Sequence, residues 1–165
     1  MNDTVAEGVD SEGNTMLATM QRAVSEPSLA LCLVEAMHAN VAEPAQTAAV
    51  VECYHAYRQA KGHSAMTDGV RALLRTFEEV GGIEAWAGKV GNYRRRYSPN
   101  SSPVAAAAIE HAAELLYRSG IESSADLRRA VADAEMARSL EARLGDIAGS
   151  PAVWDALLSR ALVNA

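Results

Sequence analysis

The chain has 165 residues, 49% of them hydrophobic, and a formal net charge of −6. That length suits one domain with a core of its own, built without disulfide or metal staples, and the acidic balance excludes attraction of the whole surface to nucleic acid. One phenylalanine and two tryptophans supply the largest apolar bulk, so close helix packing through small side chains around a few large anchors is expected.

Residues 1–14 hold Asp3, Glu7, Asp10 and Glu12 with Gly8 and Gly13 and no sustained apolar period, which predicts a flexible acidic tail ahead of a helical domain over 15–165. Met16, Leu17, Met20 and Val24 then recur at helical spacing. Ser25-Glu26-Pro27 stops that run and offers Ser25 as cap and Pro27 as first turn of the next helix. Leu29, Leu31, Cys32, Leu33, Ala36 and Met37 make this helix apolar around much of its circumference, which predicts burial on more than one side.

Glu43-Pro44 opens a third helix with Val50, Val51, Tyr54 and Tyr57, closed by Gly62. Thr67-Asp68 reads as the next N-cap, ahead of a 3.6-residue stripe of Val70, Leu73, Leu74, Phe77 and Val80. Gly81-Gly82 ends it, because glycine accepts the left-handed backbone that follows a last helical turn. Ile83, Trp86, Ala87 and Val90 give a short apolar face up to Gly91, and a polar connection follows from Asn92 to Ser102.

Ser102-Pro103 starts a helix carrying Val104, Ala108, Ile109, Ala112, Leu115 and Leu116, with Ile121 after Gly120 positioned for a hydrophobic C-cap contact. Ser123 to Asp126 resembles a capping box, and Leu127, Val131, Ala134, Leu140 and Leu144 read as one helix that breaks at Gly145. Ser150-Pro151 begins a last helix with Trp154, Leu157, Leu158 and Leu162. The pattern predicts an all-α fold of seven or eight short helices in one compact domain.

Charge is unevenly spread. Between Arg58 and Arg96 eight basic residues face four acidic ones, while the remainder carries seven basic and 17 acidic residues. Lys89, Asn92, Tyr93, Arg94, Arg95 and Arg96 form the candidate nucleic-acid-binding group: the arginines suit phosphate through charge and bidentate hydrogen bonds, Asn92 and Tyr93 position the loop or meet a base, and Lys89 extends the patch one turn upstream. Against this stands a solvated loop or a loop that meets an acidic protein.

Metal chemistry is the third alternative. Glu35 to His38 and Glu52 to His55 are two Glu-x-x-His runs, and Glu110 and Glu114 are additional carboxylates for a dimetal carboxylate enzyme. The bland reading is local acid partners on helix surfaces. His63-Ser64 pairs a base with a hydroxyl, but no strand-to-helix elbow accompanies it. Cys32 and Cys53 form no Cys-x-x-Cys pair and read as free thiols.

FEEVGGIEAWAGKVGNYRRR, AAAAIEHAAELLYRSGIESSADLRRAV and, more faintly, LEARLGDIAGSPAVWDALLSRAL resemble a small actinobacterial group within, or descended from, the helix-hairpin-helix DNA glycosylase superfamily. The resemblance spans about residues 42–162 and implies a divergent or truncated relative. It implies a hairpin at Gly145 to Gly149 that offers backbone amides to DNA phosphate, although DIAGS departs from the family's Pro-Gly-aliphatic-Gly order. No lysine follows Lys89, so the resemblance transfers no catalytic residue.

The expected function is a non-catalytic helical binding or regulatory protein that contacts DNA phosphate through the arginine patch. The alternative is a protein-protein interaction module, in which Met16, Met20, Met37, Trp86 or Trp154 builds a partner or homodimer face. No cofactor or resident metal is expected. An acidic N-terminal stretch with no long apolar run predicts a cytoplasmic chain without a membrane partner.

Overall fold

The helix read as apolar around much of its circumference is the centre of the molecule. In a computed structural model that describes residues 26–38, 44–91 and 102–162, α1 (Leu29–His38) buries every residue except Glu35. It lies against α2 (Pro44–Ala60), α3 (Val70–Val80), α5 (Ser102–Arg118) and α8 (Ala152–Ala161). A helix so enclosed must be hydrophobic around most of its circumference, since an extended polar face would meet packed side chains. The predicted tail over 1–14, the helical run from Met16 to Val24 and the Ser25 cap lie outside the described residues.

Around α1 the remaining elements are a 3-10 turn (Ala65–Thr67), α4 (Ile83–Lys89), α6 (Ser124–Val131) and α7 (Ala134–Ala148). Helix α5 is the second hub and packs on α1, α3, α4 and α7. The described residues form one compact all-α domain without strands. Trp86, Tyr54, Phe77, Leu33, Ile109 and Leu140 are among its largest fully buried side chains, each from a different helix, so the few bulky residues tie the elements together.

Several predicted ends are formed by the residues that announce them. Gly81 takes φ +96° after α3, and its amide and that of Gly82 close the last turn on Phe77 O. Ile121, 2% exposed, donates its amide to Leu116 O, which is the folded-back contact expected after Gly120. Ser123 and Asp126 form a reciprocal capping box at α6.

Four ends differ from expectation. The start of α1 is held by Ser28, whose hydroxyl accepts from Leu31 N at 3.3 Å, so the helix begins at Leu29 and not at Pro27. Asp68 does not cap α3: Gly69 is the N-cap residue without a side-chain bond, because the aspartate is committed to a buried ion pair. The predicted helix from Leu127 to Leu144 is two, separated where Asp133 accepts from Glu135 N and Met136 N and starts α7. Gly145 lies within α7 and does not break it. A lone glycine costs a helix about 1 kcal/mol, which the buried Leu140 and Leu144 offset, and the helix stops at Gly149 with φ +68°.

Candidate functional site

Lys89 is the one member of the predicted phosphate-binding group among the described residues. It is exposed in the last turn of α4. Asn92, Tyr93, Arg94, Arg95 and Arg96 lie outside the described residues.

What precedes them is firmly held. Trp86 is fully buried, its ring stacked on Phe77 at 4.5 Å between centroids and 2° between planes, and its indole N–H donates to Thr76 Oγ1 at 2.9 Å. The amides of Val90 and Gly91 both donate to Trp86 O at 2.9 Å, and both residues are buried. A seven-residue helix has little stability of its own. The tryptophan therefore fixes α4 against α3 and α5, and through the two amides it fixes the point from which the arginine-bearing connection leaves.

The strongest polar cluster of the described structure lies elsewhere, and no motif pointed to it. Arg58 Nε and Nη2 donate to Asp68 Oδ2 and Oδ1 at 2.7 and 3.0 Å, and Tyr54 Oη donates to Asp68 Oδ2 at 3.0 Å. Arg58 and Asp68 are 5% and 6% exposed and Tyr54 not at all. The hydrogen bond from Arg58 to Asp68 pushes the arginine further above its already high range, and burial with the adjacent carboxylate pushes the Tyr54 hydroxyl strongly up. Tyr54 and Arg58 stand one turn apart on α2, so both reach the same carboxylate.

Asp68 also organises the backbone around it. Its carbonyl accepts from the Ser28 hydroxyl at 2.7 Å and from Ala30 N at 3.2 Å, joining the start of α1 to the end of the 3-10 turn. Next to it Val70 N donates to Glu122 O at 3.0 Å, and Ser124 Oγ donates to Pro27 O at 2.7 Å. Three connections distant in sequence are thus laced at one corner, and every oxygen of the buried aspartate is engaged. This is the bonding of a structural clamp, with neither a mobile proton nor an activated nucleophile.

The residues of the metal alternative are used separately. Glu35 Oε2 accepts from Arg160 Nε at 3.1 Å and ties α1 to α8, while His38 is buried with Nδ1 2.7 Å from Val34 O. Burial holds His38 below the usual imidazole range. Glu52 is exposed on α2, and burial followed by the neighbouring Glu114 raises Glu110. Among the described residues no three His, Cys, Asp or Glu side chains are grouped to hold a metal ion. His63 and Ser64 are both exposed. Cys32 and Cys53 are free thiols, and burial pushes Cys32 up to about 11.

The hairpin between α7 and α8 already uses much of its backbone. Gly149 N and Ser150 N both donate to Gly145 O, and Ala152 N donates to Ser150 Oγ at 3.4 Å. Glu141, Asp146 and Arg138 line the surface groove beside it. Met37, Trp86 and Trp154 belong to the buried core, whereas Met16 and Met20 lie outside the described residues. Among the described residues, no helix is long and apolar enough to cross a membrane.

No curated protein and no solved structure matches the chain. The family model described as domain of unknown function DUF8548 matches residues 4–152, the greater part of the sequence, and the chain therefore belongs to that family.

Proposed function

We propose that this protein is a non-catalytic helical binding or regulatory protein that contacts nucleic-acid phosphate through Lys89 and the arginines that follow it. The observation that carries the reading is the anchoring of α4. Exposed Lys89 stands on a helix fixed by buried Trp86, and Arg94, Arg95 and Arg96 follow within five residues of the pinned Gly91 amide. Cations held near a rigid element lose less freedom on binding than cations in a long free tail. Arg71 and Arg75 are exposed one turn apart on α3, the helix against which α4 packs, and are balanced there by exposed Glu78 and Glu79.

The helix-hairpin-helix resemblance agrees with a phosphate-contacting role but is not needed for it. The acidic remainder of the chain acts against indiscriminate binding and favours contact through the run of arginines.

The test is a titration of a short fluorescent duplex, and of its single strand, at several salt concentrations. An Arg94/Arg95/Arg96 triple alanine variant is measured in parallel. Saturable binding should weaken with salt, and in the folded variant the slope of log affinity against log salt should fall by roughly three for the duplex. No binding at low salt, or an unchanged slope in the variant, would overturn the reading and leave the protein-protein alternative.

A further inference from the structure

A second surface feature lies at the laced corner and shares no residue with the proposed phosphate contact. A groove of about 530 Å³ opens between the segment before α1, the 3-10 turn and the start of α6. That volume falls within the range of about 300–1,000 Å³ typical of ligand pockets. Pro27, Leu29 and Met66 give its walls apolar surface, and among the described residues no basic side chain lines it.

Much of the polar wall is already engaged within the fold. Thr67 Oγ1 donates to Ser64 O at 3.1 Å, Ser124 Oγ donates to Pro27 O at 2.7 Å, and Ser123 Oγ accepts from Asp126 N at 3.2 Å. Asp68 is neutralised by Arg58. A polar ligand is recognised through a few placed donors and acceptors; with these engaged, the walls suit an apolar side chain. Met66 is the surface such a side chain meets. It is 62% exposed, the most exposed of the large hydrophobic side chains described, on a turn closed by Thr67 N to Ser64 O and Asp68 N to Ala65 O.

Chain connectivity names the occupant. Glu26 and Pro27 line the groove, so the residues before them join the described structure at its wall. Residues 15–25 carry Met16, Leu17, Met20 and Val24 at helical spacing, with Arg22 as the one charged side chain, and the acidic residues of the N-terminus all lie ahead of them. Met20 is six residues before Glu26. Even at full extension, about 3.4 Å per residue, it stays within about 20 Å of the groove wall. The family match begins at residue 4, so the family's pattern includes this segment together with the helical domain.

We propose that the chain's own residues 15–25 occupy this groove, with Met20 and Val24 seated against Met66 and Pro27. Attachment at the groove wall gives the segment a high effective concentration there, so a contact too weak to hold a separate peptide suffices. Met20 and Met66 are flexible thioethers that adapt to one another's shape. The docked segment covers the exposed methionine and extends the apolar surface of the fold across the 3-10 turn.

The experiment observes the methionine ε-methyl groups of the isotope-labelled full chain, assigned through Met20→Leu and Met66→Leu. The unaltered chain should show a nuclear Overhauser cross-peak between the Met20 and Met66 methyl groups that persists on dilution. In Met20→Ser the Met66 methyl resonance should shift toward the position of a solvent-exposed methionine. Absence of the cross-peak, or a Met66 methyl unmoved in a folded Met20→Ser protein, would overturn the proposal. A cross-peak that fades on dilution would place a second copy's segment in the groove and overturn it as well. The cross-peak is read in the unaltered chain, so it decides the matter even if the serine variant fails to fold.

Discussion

Asp68 stands in the sequence where a helix cap is expected, two positions before Val70, yet its carboxylate serves Arg58 and Tyr54. The reason is burial: an arginine 5% exposed cannot remain without a countercharge, whereas the amides at the start of α3 can be satisfied otherwise, as Val70 N is by Glu122 O. Asp68→Ala should therefore cost about 3–5 kcal/mol of folding stability, the usual penalty for orphaning a buried charge, read as a lower midpoint in urea unfolding. A loss below about 1 kcal/mol would mean that Arg58 reaches water and that the clamp is weak. Arg58 carries no sequence signal of its own, and the signal Asp68 carries is that of a cap and not of an ion pair. The one legible hint is the spacing of Tyr54 and Arg58, which shares one face of α2 but names no partner ten residues further on.

Among the elements, the connections were less legible than the helices. Apolar stripes placed most of the described helices, though they merged α6 with α7, because burial of one face repeats every 3.6 residues. Their ends depend on which polar side chain wins a local competition, and Asp133 and Ser28 won at positions that the apolar pattern passes over. Glycines separate the two cases experimentally. A Cβ added at Gly69 would sit 2.4 Å from Glu122 O, whereas one at Gly88, inside α4, meets nothing within 4 Å. Gly69→Ala should displace the start of α6 and destabilise the fold by about 1–3 kcal/mol. Gly88→Ala should stabilise it by about 0.5–1 kcal/mol, since alanine loses less entropy in a helix. Thermal or denaturant unfolding of the two variants side by side checks both signs; equal effects would mean that the corner is not tightly laced.

Across the whole molecule, buried titratable groups set a window of stability. Burial depresses the His38 imidazole below its ordinary value of 6.5. The folded chain then binds fewer protons than the unfolded one, so stability is fully present above that value and falls as pH drops below it. Asp126 is lowered chiefly by the Glu122 amide, from an ordinary 3.8, and its contribution is lost at lower pH still. On the alkaline side the Cys32 thiol, pushed from 9.0 up to about 11 by burial, favours the fold up to pH 9, and that contribution fades as pH rises further. Denaturant unfolding between pH 4 and 10 should show a plateau near neutrality, with the first acid loss removed in His38→Gln relative to its own neutral value. A curve of the same shape in that variant would assign the acid loss to another group.

The sequence by itself determined the all-α class, the burial of the helix from Leu29 on more than one side and the turns at Gly81 and Gly120. It also determined the local excess of basic charge around Lys89. These features follow from period, composition and the backbone freedom of glycine, which act over a few residues. Only the tertiary structure decided that Arg58 and Asp68 neutralise each other in the interior, and that Glu35 and His38 serve different neighbours. Each of these depends on which distant segments meet, and a titratable side chain takes its role from the charges and solvent it meets there.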